Sequence, residues 1–466
     1  MTVFEFQPSA PSRLVSLCRY IMQRAGHAGE KAVSDYIPVS EEEKSSRFHA
    51  AQELMEDGDY EEACDIFENL AKSFPDDRGI WWQYLSALQH ARQTEKADEC
   101  IEWCYKTFPD DLGFTLSWTR TFDARADWDE CIRRRNVVLK QHDPRGDLCY
   151  LPVIIEIFLP LVEKKDFGAI RAFLARYWDV LTRFNQCGAA LYFALETIGD
   201  FERQLELCDI FLERCDPNDP VLDGINYANL RVIVESALWN RKIVSRPGSK
   251  TQILSFGQNC LPYSMANRWG LLKYIGNPDA ITIFDLGAFG KNSAAEALLS
   301  DFESFRNLDN YYESQDPAGA PRMMHRPSGV HFGHERGRTL IGADHKAFFS
   351  LINKKIDAFQ SMWSKGHSLL VYAITGECDL AEFVPSMEQI LAQNASRLLI
   401  LNCNRPVQEC PESDHVTYFH IPFPFDYSWN EINNFTKDIG LAFDTRITAA
   451  IKNEIDRMDR EQGILI

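Results

Sequence analysis

The 466-residue chain has no Cys-x-x-Cys pair, no long uninterrupted apolar run, and too little positive charge to balance its acids. Lys and Arg number 49 against 68 Asp and Glu, a formal net charge of -19. A chain that depends on nucleic acid or anionic lipid needs a cationic footprint, so neither is expected as a partner. Without Cys-x-x-Cys, the usual structural zinc site is excluded. The 13 cysteines are odd in number and lack a regular spacing, so no disulfide framework is expected. Cys64, Cys100, Cys104, Cys131 and Cys208 fall in helix-like stretches and read as small buried hydrophobes. A reducing, cytoplasmic compartment follows as the expectation. The longest apolar run, near Val153 to Val162, is broken by Glu156 and Pro160 and is too short to span a membrane. The start, Met1-Thr2-Val3-Phe4-Glu5-Phe6, lacks the basic flank and apolar core of a secretory signal. What is present is ample apolar matter, 45% of residues with 12% aromatic, enough for packed cores in roughly two or three domains.

The first half repeats itself. Phe74-Pro75-Asp76-Asp77 returns as Phe108-Pro109-Asp110-Asp111, a shift of 34 residues. Ala63 and Ala97, Phe67 and Ile101, and Leu70 and Cys104 keep the same shift. Small Ala63 admits a neighbouring helix, Phe67 fills the gap, and Pro75 stops the helix. Weaker copies begin at Asp127-Trp128, Lys165-Asp166-Phe167 and Gly199-Asp200-Phe201. Period and pattern resemble the tetratricopeptide repeat, a helix-turn-helix unit whose copies stack into an α-solenoid. The resemblance implies a groove that binds a protein or peptide partner. The expected organisation is a helical lead-in over 1–45 (one amphipathic helix from Arg13 to Ala25), a solenoid over 46–245, and an α/β domain over 246–466.

Arg246-Pro247-Gly248-Ser249 marks the change. After it, strands are expected at Thr251–Phe256, Ala280–Phe284, Ser368–Ile374, Arg397–Asn402 and Val416–Ile421, with helices between the last of them. That alternation predicts a mainly parallel sheet. The fold class is therefore α plus α/β. Chemistry concentrates at Ser255-Phe256-Gly257-Gln258-Asn259-Cys260, which runs from a strand into a helix begun by Pro262. A thiol at a helix N-terminus is stabilised as thiolate by the dipole. Gly257 permits a sharp turn, and N–H groups near Asn259 and Cys260 are candidates for an oxyanion hole. Asp285 is expected at a strand end or as a helix or turn cap. His331-Phe332-Gly333-His334-Glu335, read as a turn, offers a base for the cysteine. Neither His spacing nor context suggests a metal pair, so no metal and no cofactor are expected.

The run SFGQNC, then Arg268-Trp269-Gly270, Phe284-Asp285-Leu286, Asp301-Phe302 and Phe332-Gly333-His334-Glu335, resembles the DUF1796 group of bacterial domains, described as papain-like cysteine peptidases. The resemblance covers roughly residues 250 to 405. It departs at Ile283, where the group has Pro, and at Glu335, where Asp is common. It implies Cys260 as nucleophile, His334 as base and Asp285 as the orienting acid, with Gly257, Asn259 and Glu335 supporting the site. His331 and Asp426 are rivals to His334 and Asp285. The order Cys, Asp, His differs from the Cys, His, Asn order of papain-like enzymes. The expected function is a cysteine-dependent hydrolase or acyl transferase with a protein-binding repeat module. The alternative is a non-catalytic adaptor or ligand-binding protein, linked by analogy to cell-surface glycan assembly. Over 246–466 no Asp-x-Asp or glycine-rich phosphate loop of the expected kind supports that last role.

Overall fold

Ser40 and Glu43 close a capping box at the start of the first helix, whose first turn is the acidic run at residues 41–43. The computed structural model describes residues 39–464 apart from 291, 317, 318, 339 and 343, so the Arg13–Ala25 helix and most of the 1–45 lead-in fall outside the described residues. The chain is mostly helical, with a parallel four-stranded sheet in its C-terminal half. It divides into two compact units: residues to 124 with 129–154, and residues 125–128 with those from 155 onward. The second unit therefore begins well before the β-strands do.

In the first unit, α1 (Glu41–Asp57), α2 (Tyr60–Ser73), α3 (Arg78–His90), α4 (Thr94–Thr107) and α5 (Leu112–Arg120) pack each on the next. The repeated positions share roles. Ala63, Phe67 and Leu70 are buried, and so are Ala97, Ile101 and Cys104. Asp77 caps α3 by accepting from Gly79 and Ile80 N–H, and Asp111 caps α5 by accepting from Phe114 N–H. Such a cap contributes about 1 kcal/mol. The helices α6 (Trp128–Gln141), α7 (Leu151–Glu163), α8 (Phe167–Leu181), α9 (Gly188–Ile198), α10 (Phe201–Leu212) and α11 (Tyr227–Val244) follow. Left-handed residues recur along this series at Gly58, Arg92, Ala126, Lys165 and Gly199. All but one of the intervals between them are 34 residues.

The sheet of the second unit is built from β1 (Gln252–Ser255), β5 (Ser368–Ile374), β6 (Arg397–Asn402) and β7 (Val416–His420), all parallel, in the order β1-β5-β6-β7. Every residue of β5 and β6 is buried. Both faces are covered, which is why those strands read as unbroken apolar runs. Between β1 and β5 lie α12 (Leu261–Arg268), α13 (Ile283–Leu286), α14 (Ser293–Leu299), an antiparallel meander of β2 (Tyr311–Gln315), β3 (Pro321–His325) and β4 (His331–Arg336), and α15 (Lys346–Trp363). Then α16 (Leu380–Gln393) lies between β5 and β6, and α17 (Ile432–Phe435) and α18 (Asp438–Glu461) follow β7. An aromatic cluster of Phe256, Phe284, Phe289, Phe302, Phe359 and Tyr372 fills one side of the sheet.

Two sequence expectations are corrected. Ala280–Phe284 is not a strand: Thr282 and Asp285 form a capping box that starts the one-turn helix α13. The local Thr-x-x-Asp pattern outweighs a short apolar run. His331–Glu335 is not a turn but most of β4, whose Phe332 and Glu335 point inward. Just past β4, Gly337 has φ +95°, and a Cβ there would lie 1.9 Å from the Ala126 carbonyl oxygen. Gly337→Ala is expected to cost at least about 2 kcal/mol, read as a lower urea midpoint, from left-handed strain and backbone displacement together.

Candidate active site

The strand-to-helix passage after β1 places Cys260 as the N-cap of α12, with Pro262 in the first turn. Gly257 is required for close approach rather than for a left-handed turn: a Cβ there would meet the Ala373 N–H nitrogen and Pro262, each at 3.2 Å. Both ends of the Asn259 side chain are engaged. Its Oδ1 accepts from Leu261 N–H at 3.0 Å, starting α12, and its Nδ2 donates to Thr375 Oγ1 at 2.7 Å, tying the loop to the end of β5. Gln258 reinforces this tie, accepting from the N–H groups of Thr375 and Gly376 and donating to the Glu377 carbonyl. The carboxyl ends of β1 and β5 are thus locked together, where open parallel sheets carry their sites.

Cys260 is 7% exposed. Burial pushes its thiol above the usual range, outweighing the opposite pulls of the Trp429 side chain, the Ser264 hydroxyl, its own backbone N–H and the Lys165 ammonium, so the thiolate expected at a helix N-terminus is not favoured here. Trp429 Nε1 is buried and donates to no nitrogen or oxygen acceptor among the described residues. Its backbone carbonyl accepts from Arg268 Nη2. Arg268 is itself buried, 3.0 Å from Asp444 and 3.7 Å from Glu196, with its guanidinium 3.5 Å from the Phe435 ring centroid. The Arg268-Trp269 pair therefore braces the wall behind the cysteine, and Trp269 Nε1 also donates to Asp444.

His334, on β4, has its Nδ1 4.0 Å from Glu163 Oε2. Burial holds the imidazole below its usual range against the pull of Glu163, with Lys165 adding to the depression, so the ring is neutral at pH 7. The Lys165 charge acts in the same direction on both groups, lowering the Cys260 thiol and the His334 imidazole. Glu335 is buried and receives the Lys355 ammonium at 2.5 Å. Burial raises that carboxyl, but the Lys355 ammonium outweighs it and leaves it below its usual range. His331 is also depressed, by burial, Arg322 and His334.

Asp285 is fully buried, and burial pushes its carboxyl up to about 7. Its Oδ2 accepts from Thr282 N–H at 2.6 Å and its Oδ1 from the Tyr274 hydroxyl at 3.1 Å. Those bonds serve the start of α13, and the carboxylate beside the His334 ring is Glu163. Asp426, with φ +56°, lies in the loop before Tyr427 and Trp429. Asp301 and Phe302 are consecutive left-handed residues; Asp301 accepts from Gln360, and Phe302 packs on Phe284 and Phe359.

Reading the sequence missed Glu163, Lys165, Lys355 and Trp429. Glu163 and Lys165 come from the end of α7 and the turn after it, on the far side of the boundary placed at residue 245. No group of His, Cys, Asp and Glu suited to a metal occurs among the described residues, and no described helix is long and apolar enough to cross a membrane. The chain matches no protein-family model and no curated protein.

Proposed function

We propose that the chain is a cysteine-dependent hydrolase or acyl transferase, resembling the papain-like group, joined to a tetratricopeptide-like array that recruits a protein or peptide. The observation that carries the reading is a thiol at a helix N-terminus, in a strand-to-helix loop tied to the carboxyl end of β5. In the proposed reaction the Cys260 sulfur bonds to a substrate carbonyl carbon, and His334 takes the thiol proton. The bond to the leaving group then breaks as His334 returns that proton to it. Water or a second acceptor finally displaces the acyl group from sulfur. The Glu163 carboxylate, 4.0 Å from the ring, favours the imidazolium that forms, and the N–H of Cys260 and the N-terminus of α12 face the developing oxyanion. The five left-handed turns, mostly at 34-residue intervals, support the repeat reading over 46–245, with 246–466 as the α/β part. Twelve described cysteines, all free, suit a reducing cytoplasm.

Incubation with p-nitrophenyl acetate, followed by peptide mapping, tests this. Wild type is expected to carry one acetyl group on Cys260, and Cys260→Ala none at that site. A wild-type chain that never acylates there defeats the enzyme reading and favours the adaptor.

A further inference from the structure

The turn at residues 326–329 joins β3 to β4, and its backbone is closed twice. His325 N–H donates to the Val330 carbonyl and Gly329 N–H to the His325 carbonyl, each at 2.8 Å. The side chains add a contact that this closure does not require. His325 Nδ1 lies 2.6 Å from Ser328 Oγ, and its Nε2 lies 3.1 Å from the Ser304 carbonyl oxygen. A carbonyl only accepts, so Nε2 carries the ring proton and Nδ1 is the acceptor for the Ser328 hydroxyl. The ring is fully buried, stacked on Phe305 with centroids 3.9 Å apart and flanked by Tyr311 at 5.1 Å. Asn310 Nδ2 donates to the same Ser304 carbonyl at 2.7 Å, and the Asn310 carbonyl accepts from Arg326 N–H at 2.7 Å, which fixes the turn over the ring. Burial lowers the imidazole, so it is neutral at pH 7. Ser328 is half-buried and lines a cavity of about 510 Å³ together with Glu296, Glu303, Ser304, Asn307 and Asn310. Among the described residues no lysine or arginine lines it.

We propose that Ser328 and His325 are a second catalytic pair, a serine nucleophile with its base, which hydrolyses a small ester bearing a cationic group. None of these residues belongs to the Cys260 loop. A hydroxyl becomes a nucleophile when a neutral base within hydrogen-bond reach takes its proton and a third group holds that base in place. Here the third group is the Ser304 carbonyl. Ser328 Oγ bonds to the ester carbonyl carbon while its proton passes to His325 Nδ1. The bond to the alcohol then breaks, and His325 gives the alcohol that proton. Water adds to the acyl carbon, its proton going to His325, and the acid leaves as Ser328 recovers the proton. The amides of Asn307 and Asn310 are the side-chain donors on the cavity wall for the developing oxyanion. Glu296 and Glu303, with no lining cation to offset them, select the positive group.

The test is incubation of the full chain with a fluorophosphonate, which phosphonylates activated serines with loss of fluoride, followed by peptide mapping. Wild type is expected to carry the adduct on Ser328. Ser328→Ala, in a turn already closed by backbone bonds, should melt as wild type does and carry none at that position. His325→Asn, which keeps an acceptor but not the base, should label about 100-fold more slowly. The part of ester hydrolysis that Ser328→Ala abolishes should be about fivefold faster with acetylcholine than with ethyl acetate, the same ester without the cation. Equal rates overturn the cationic preference, and absence of any Ser328-dependent hydrolysis overturns the activity. A wild type unlabelled at Ser328, or a His325→Asn chain labelled as fast as wild type, overturns the pair. Mapping reads Ser328 and Cys260 as separate peptides, so failure here leaves the thiol reading standing.

Discussion

Arg268→Leu is expected to destabilise the second unit by about 3–5 kcal/mol, read as a fall in denaturant midpoint and of about 10 °C in melting temperature. The guanidinium is 2% exposed and Asp444 is fully buried. The variant leaves Asp444 with only the Trp269 and Tyr427 donors and Glu196 with no cation. It also removes the donor to the Trp429 carbonyl. The large effect comes from the stranded acids rather than from the lost attraction, because a buried ion pair gains little net energy once desolvation is subtracted. Removing the acids as well separates the two. Arg268→Leu combined with Glu196→Gln and Asp444→Asn should recover most of the loss. If the triple variant is as unstable as the single one, packing of the arginine stem is responsible instead.

Glu196→Gln is expected to gain stability relative to wild type as pH rises, by about 3 kcal/mol between pH 5 and pH 8. One cation faces two acids here. Asp444 has the nearer guanidinium nitrogen, 3.0 Å against 3.7 Å, and two further donors, so it is the better-solvated anion. Burial pushes Glu196 up to about 7 from 4.5, against the pull of Arg268. Between those values the folded chain keeps a proton that the unfolded chain has released, so stability falls as pH climbs toward 7 and the loss is complete above it. At about 1.4 kcal/mol per pH unit the sum is about 3 kcal/mol. Wild type alone would blur the effect. Asp285, also raised to about 7, adds to it, whereas His325, His331 and His334, all depressed by burial, cost stability as pH falls below their usual range. The difference between wild type and Glu196→Gln, measured by urea unfolding at each pH, isolates the one group. A constant difference across pH 5–8 would show that Glu196 is ionised throughout.

The parallel strands were legible because both faces are covered, and Ser368–Ile374 and Arg397–Asn402 needed only their apolar runs to be seen. Cys260 was placed correctly because Gly257, Asn259 and Pro262 punctuate a strand-to-helix passage whose local rules are strong. Ala280–Phe284 misled because five apolar-rich residues do not separate a strand from a helical turn, and the deciding Thr282 to Asp285 bond is specific to geometry. His331–Arg336 concealed a strand because Gly333 and the polar residues interrupt the alternation. Glu163 and Lys165 lay in a stretch that reads as a weak repeat copy. The single local sign was a lysine standing where Gly58 and Gly199 stand in the same turn. Trp429 left no sign at all, since its role depends on Arg268 from a helix far away in sequence.

The staples that hold α18 bear on the order in which the second unit assembles. Asp459 accepts from Arg246, Ser249 and Thr251, partners made 208 to 213 residues earlier. The β1 to β5 pairing likewise joins Gln252 to Ser368, 116 residues on. Such long closures fold slowly and leave apolar strands waiting. On the ribosome, the helices before residue 245 are complete before β1 has any partner strand. The cysteine loop therefore stays unassembled until β5 has been synthesised, so a chain interrupted before residue 368 leaves β1 without a partner strand, and one interrupted before residue 459 leaves Arg246, Ser249 and Thr251 without their shared acceptor.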